Sequence, residues 1–199
     1  MYQMRFTILV VSMLMFFCGS VSAQRSGPEF RRPLACEPFE PRTKLEAIEL
    51  RYERVLIKGF SQISNLNVRG GDLRVDAIEL KDSADSSRAT GIVIALRQAG
   101  ERPHEDRSFI DYEEINSFVK ALETIGRVNE TVTKLPGFEA RYRTAGDLDV
   151  NVFRQSRSGT AVSVTSGICD KVTVLMTLEE LERLRGIILE AKARLDDIK

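Results

Sequence analysis

Gly71-Asp72-Leu73-Arg74-Val75 and Gly146-Asp147-Leu148-Asp149-Val150 open two stretches of the 199-residue chain in the same way, and each leads through β-type residues into an amphipathic helix. Self-similarity of this kind marks a duplicated unit. It predicts an α+β fold of two ββββα repeats, over residues 44–128 and 129–199, each forming an antiparallel sheet with one packed helix and the two joined as one compact unit.

Around the first signature the pattern is mostly β. Leu45 to Ile57 admits a helix with Leu45, Ile48, Tyr52 and Val55 on one side, but the Arg54-Val55-Leu56-Ile57 run before Gly59-Phe60 favours a strand and a bend. Gly70-Gly71 is a turn signal, because glycine reaches positive φ without strain. Leu73, Val75, Ala77 and Glu79 then alternate with Arg74, Asp76, Ile78 and Leu80, and Asp82 to Arg88 reads as a hairpin loop. Gly91-Ile92-Val93-Ile94-Ala95-Leu96 is apolar without a break, as expected of a strand covered on both faces. Gly100 to Arg107 reads as a charged loop and Ser108-Phe109-Ile110 as a short strand. A helix over about 112–125 follows, N-capped by Asp111, with Ile115, Phe118, Val119, Leu122 and Ile125 on one face and Gly126 at its end.

The second repeat is read in the same way. Phe138, Ala140 and Tyr142 alternate with Glu139, Arg141 and Arg143, and Ala145-Gly146-Asp147 turns into a strand holding Leu148, Val150, Val152 and Phe153. Two further strands, Thr160 to Ser166 and Val172 to Met176, precede a helix over about 177–196. Thr177 with Glu180 forms a capping box there, each side chain satisfying an orphan amide of the first turn. Leu178, Leu181, Leu184, Ile188, Ala191, Leu195 and Ile198 make the apolar stripe. Such a stripe belongs to the core, and its last turns could also meet a protein partner or a second copy of the chain.

The first twenty-three residues predict export. Arg5 precedes an uncharged apolar run from Phe6 to Phe17, and Val21-Ser22-Ala23 supplies the small residues of a signal-peptidase site, placing the cut before Gln24. The run is shorter than a membrane span, and Phe16-Phe17 before Cys18 is too bulky for a lipidation site. The expected location is therefore secreted or periplasmic, with no membrane span after cleavage. Residues 24–43 hold Pro28, Pro33, Pro38 and Pro41 among charged residues, the composition of an extended arm. Cys36 and Cys169 remain after cleavage. In an oxidising compartment they suggest one disulfide, contributing about 4–5 kcal/mol by loop-closure entropy if unstrained. The alternative is a buried, apolar Cys169 with Cys36 free on the arm.

Lysine plus arginine (29) balance aspartate plus glutamate (29), which argues against a dedicated polyanion binder. The sole histidine, His104, lies in a charged stretch read as loop, and no serine sits in a Gly-x-Ser-x-Gly context. The cysteines and histidine lack zinc-ligand spacing. Glu113-Glu114 and Glu179-Glu180 fall in first helical turns, where the helix dipole accounts for them. No catalytic, cofactor-binding or metal residue is assigned, and the chain reads as a non-enzyme without a cofactor. Asn129-Glu130-Thr131 is a glycosylation sequon, relevant only if the exporting cell glycosylates.

The ββββα order, occurring twice from about residue 44 to 195 with the Gly-Asp-Leu-x-Val echo and a capped second helix, resembles the PC4, Whirly and PUR group of single-stranded nucleic-acid-binding proteins. The resemblance implies bases stacked on an exposed sheet face, with Arg141, Tyr142, Arg143 and Arg154 as the ligand-facing residues. The chain departs from that group in having no tryptophan, no basic excess and an export signal. The leading expectation is thus an exported, non-enzymatic binding or interaction module. Single-stranded nucleic-acid binding is the alternative, and a secreted hydrolase a third reading requiring two close carboxylates in a cleft.

Overall fold

The structure, a computed structural model, describes residues 40–100, 103–129, 131–155 and 159–199. The signal segment, Cys36 and most of the arm lie outside these residues. A short helix, α1 (Lys44–Glu49), leads into four strands, β1 (Leu56–Val68), β2 (Gly71–Asp82), β3 (Arg88–Gln98) and β4 (His104–Asp111), and then helix α2 (Tyr112–Gly126). The second unit repeats the order: β5 (Glu139–Arg143), β6 (Asp149–Gln155), β7 (Gly159–Ser166), β8 (Val172–Met176) and helix α3 (Leu178–Asp196). Each set of strands forms an antiparallel meander, ordered β1-β2-β3-β4 and β5-β6-β7-β8. The sheets meet where Arg69 and Leu175 exchange two backbone hydrogen bonds of 3.0 and 2.9 Å.

The echoed signature has one physical role in both units. Leu73 and Val75, like Leu148 and Val150, are wholly buried in the same main core. The glycines ahead of them permit close backbone approach. A Cβ on Gly71 would lie 1.8 Å from the Arg97 carbonyl oxygen, and one on Gly146 would lie 2.0 Å from that of Phe109. Gly71 thus lets β2 approach β3 of its own sheet, whereas Gly146 lets the β5–β6 turn approach β4 of the other.

The helices are exchanged in their packing. The exchange is one-sided: besides contacting α2, α3 packs mainly on β1, β2 and β3 of the first sheet and touches β7 of its own, while α2 lies against both β3 and β4 of its own sheet and β5 and β6 of the second. Phe118 of α2 stacks on Tyr142 of β5, centroids 5.9 Å apart. Leu181, Leu184, Ile188, Ala191 and Leu195 of α3 are buried with Leu73, Ile92 and Leu148 in one cluster, so the predicted stripe is consumed inside the molecule from Leu181 to Leu195, with Leu178 partly buried and Ile198 exposed at its end. Neither repeat closes its own core, which makes the two one folding unit.

Four sequence expectations need correction. Residues 44–49 are helical, with Thr43 and Glu46 in a capping box, and Leu45 and Ile48 cover Ile78, Leu80, Val93 and Phe109 on the outer face of the first sheet. The strand expected near Gly59 does not bend there. It continues to Val68, with a register shift between Gln62 and Ser64. His104 begins β4 instead of lying in a loop, because residues 104–107 pair with 95–98 of β3. Asp111 occupies the N-cap position of α2 without capping it. Its carboxylate accepts instead from the backbone N–H of Lys44 (2.8 Å) and Leu45 (3.1 Å), so it caps α1 across a gap in sequence.

Candidate functional site

β4 is the outer strand of its sheet, and a cleft of about 490 Å³ lies alongside it. Four segments form its walls: Glu46, Glu49 and Leu50 at α1; His104, Asp106, Arg107 and Phe109 on β4; Gly146-Asp147 in the β5–β6 turn; and Gly167 to Asp170 in the β7–β8 turn. The strand alternation explains the mixture, since even-numbered β4 residues face the second sheet and odd-numbered ones face α1.

At one end, His104 Nε2 donates to the Asp170 carbonyl at 3.2 Å. Next to it the Ser166 hydroxyl donates to Asp106 Oδ2 at 2.6 Å, and Ser108 Oγ, 2.7 Å from Ser166 Oγ, supplies the following link. Both serines are fully buried. The Ser108–Ser166–Asp106 chain of hydrogen bonds ties β4 to β7.

At the other end, Asp147 has φ 59, a left-handed conformation that aspartate tolerates better than most residues. That conformation presents its carboxylate to Arg42, with Nη1 to Oδ1 at 2.6 Å. Glu46 Oε2 accepts from the backbone N–H of Arg42 (2.7 Å) and Thr43 (3.0 Å). Glu49 pairs with Arg107 at 3.3 Å, and that guanidinium sits 5.4 Å from the centre of the Phe109 ring. The carboxylates of Glu46, Glu49, Asp106 and Asp147 are therefore engaged, while Leu50 and Ile168 expose 39% and 44% of their surfaces at the walls.

Among the described residues no group of three or more His, Cys, Asp or Glu side chains is arranged to hold a metal, and no helix is long and apolar enough to cross a membrane. Glu113 and Glu114 diverge in environment. Lys44, 2.8 Å from Glu113, holds that carboxyl below its usual range, whereas half-burial pushes Glu114 up, with Asp111 adding to the effect. Glu114 accepts from the Ala145 N–H at 3.0 Å and so steadies the turn that forms the cleft wall. Asn129 is exposed and accepts from the Thr131 N–H at 2.9 Å.

The four residues proposed as a ligand face are not on one face. Arg141 and Arg143 lie on the outer side of the second sheet, where both bind Asp149. Arg141 Nε is 2.6 Å from Oδ1, and Arg143 Nη2 is 3.0 Å from Oδ2. These contacts, Arg141 first, hold the Asp149 carboxyl low and raise the Arg141 guanidinium. Tyr142 faces inward onto Phe118. Arg154 is exposed at the sheet margin and donates to the Pro136 carbonyl at 3.0 Å. The half-buried aromatic that shares the outer face with Arg141 is Phe153, whose position opposite Glu139 follows from the register.

The cleft residues escaped sequence reading because four separated segments supply them. Two local signals bear on it: the Thr43-x-x-Glu46 capping box that announces α1, and Asp147 inside the second signature. No protein-family model, curated protein or solved structure matches the chain.

Proposed function

We propose that this chain is an exported, non-enzymatic binding module whose ligand site is the cleft along β4. The observation that carries the reading is an outer strand, paired on one side only among the described residues, beside a groove that combines exposed Leu50 and Ile168 with carboxylates engaged by hydrogen bonds and ion pairs. Such an edge adds an extended peptide as a further strand, the backbone giving affinity and the walls giving selectivity. Export rests on the leader, and a Cys36–Cys169 disulfide belongs to the same reading, supported by the place of Cys169 on the cleft wall.

Two measurements test it. The intact mass of protein recovered from the extracytoplasmic fraction should begin at Gln24 and rise by about two hydrogens on reduction; a full-length, reduced mass found only in the cytoplasm would overturn export. Peptides selected from a random display library on the immobilised protein, with and without reductant, should lose at least about tenfold in affinity on Ile168→Glu, a charge placed in a desolvated contact. Selected peptides indifferent to that substitution, or no selection at all, would overturn the assignment of the cleft.

A further inference from the structure

Five of the ten large apolar side chains that the described residues expose fall in one short stretch: Leu50, Tyr52, Val55, Ile57 and Phe60. Phe60 is 71% exposed and Ile57 56%, and both stand on β1, the outer strand at the sheet margin opposite β4 and its cleft. β1 runs for 13 residues with Lys58 as its only charged side chain and no proline, so it carries few of the devices that keep sheet edges from pairing. The Ser83 N–H donates to the Val55 carbonyl at 3.1 Å, and the Asp82 N–H turns the other way, to the Ser87 carbonyl at 2.9 Å. Such bonds alternate along an antiparallel ladder, so Ile57, Gly59 and Ser61 bond β2 while Leu56, Lys58, Phe60 and Gln62 direct their N–H and C=O groups outward. Beyond the register shift between Gln62 and Ser64 the same alternation turns Arg69 outward, and the second sheet uses it, through the two bonds with Leu175. Residues 56–62 have no such partner among the described residues.

We infer that this edge pairs with the same edge of a second copy, antiparallel, about a twofold axis through Gly59. Gly59 is the midpoint of the regular stretch 56–62, so the axis sets Leu56 against Gln62 of the second copy and Lys58 against its Phe60. All four outward residues of each copy then find a bonding partner. The charge pattern selects this register. An axis one residue earlier would oppose the two Lys58 ammonium groups, and one residue later would set Leu56 against Ser64, where the ladder is irregular. About Gly59, each ammonium instead meets an exposed aromatic ring, and the two Phe60 rings become diagonal neighbours. Phe60 lies opposite Ile78, on the face where Leu45 and Ile48 cover Ile78 and Leu80, so the pairing carries that apolar cluster across the axis. The two first sheets join into one, with β4 at both outer margins. The pairing therefore does not depend on what the cleft binds.

Analytical ultracentrifugation of the full mature protein over a concentration series, with charge-swapped variants, tests the pairing. The parent should pass from monomer to dimer as concentration rises. Phe60→Lys sets like charges opposite each other on both sides of the axis and should weaken the dimer at least about tenfold. Adding Lys58→Glu to that variant sets opposite charges there and should restore association to within about threefold of the parent, a rescue that a misfolded protein would not show. Leu135→Lys, at a side chain 72% exposed on another segment, should leave the dimer unchanged. Amide exchange at Lys58 and Phe60 should slow at least about tenfold on dimerisation, while Ile57 and Gly59, already bonded to β2, keep their rates. A protein that stays monomeric up to about 1 mM would leave the edge to a strand of some other protein and overturn the pairing. A dimer indifferent to Phe60→Lys, or one that Lys58→Glu fails to restore, would overturn it equally.

Discussion

Gly146→Ala tests the close contact that builds one wall of the cleft. The new Cβ would stand 2.0 Å from the Phe109 carbonyl oxygen and 3.0 Å from the Phe109 carbonyl carbon, both backbone atoms. No side-chain rotation relieves such a clash, so the β5–β6 turn must retreat from β4 by at least about 1 Å, the overpacking case that usually costs about 1–3 kcal/mol. Gly71→Ala meets the Arg97 carbonyl oxygen at 1.8 Å and carries the same expectation within the first sheet. Neither glycine has positive φ, so the effect is steric and not conformational. Gly186 in α3 is the control: it is exposed, nothing lies within 4 Å of a Cβ there, and alanine should stabilise the helix by about 0.5–1 kcal/mol. Urea unfolding followed by far-ultraviolet circular dichroism measures all three. A Gly146→Ala protein within about 0.5 kcal/mol of the parent would refute the close approach and the cleft wall built on it.

Three further outcomes follow from the same structure. A fragment ending at residue 129 should lack a cooperative unfolding transition, because α3 covers β1 to β3; a two-state melt by circular dichroism would contradict the shared core. Glu114→Gln should be more stable than the parent at pH 7, and the gap should close as pH falls through the ordinary glutamate range. A carboxyl raised in the folded state contributes stability fully present below its unfolded pKa and lost as pH rises through the folded one. Urea midpoints from pH 3 to 8 that keep a constant gap would count against desolvation of Glu114. Single-stranded oligonucleotides should bind with no steep salt dependence and no sensitivity to Arg143→Ala, since Arg141 and Arg143 are matched to Asp149 and Tyr142 faces inward; a titration by fluorescence anisotropy showing both would restore the sheet-face reading.

The strand-and-helix order was legible because each repeat carries local signals that tertiary contacts reinforce: alternation at Leu73 and Val75, the helical stripe from Ile115 to Ile125, and the Thr177–Glu180 capping box. The errors arose where a distant partner decided the outcome. Six residues of α1 form a helix because Asp111, remote in sequence, caps them and because Leu45 and Ile48 find the outer face of the sheet. His104 joins a strand because β3 offers a register that continues through Gln98. The opposite orientation of Arg141 and Tyr142 follows from strand alternation alone and was available in the sequence. The cleft was not, since its walls come from α1, β4 and two turns of the second unit, and no local pattern encodes their meeting.

The most direct test of the account is amide chemical-shift mapping of the mature, reduced protein titrated with a selected extended peptide. The cleft reading predicts the largest shifts at Asp106 to Phe109 of β4 and at Gly167 to Asp170 of the β7–β8 turn, with the outer face of the second sheet around Arg141 unmoved. Shifts centred on Arg141, Asp149 and Phe153, with the β4 edge silent, would contradict it.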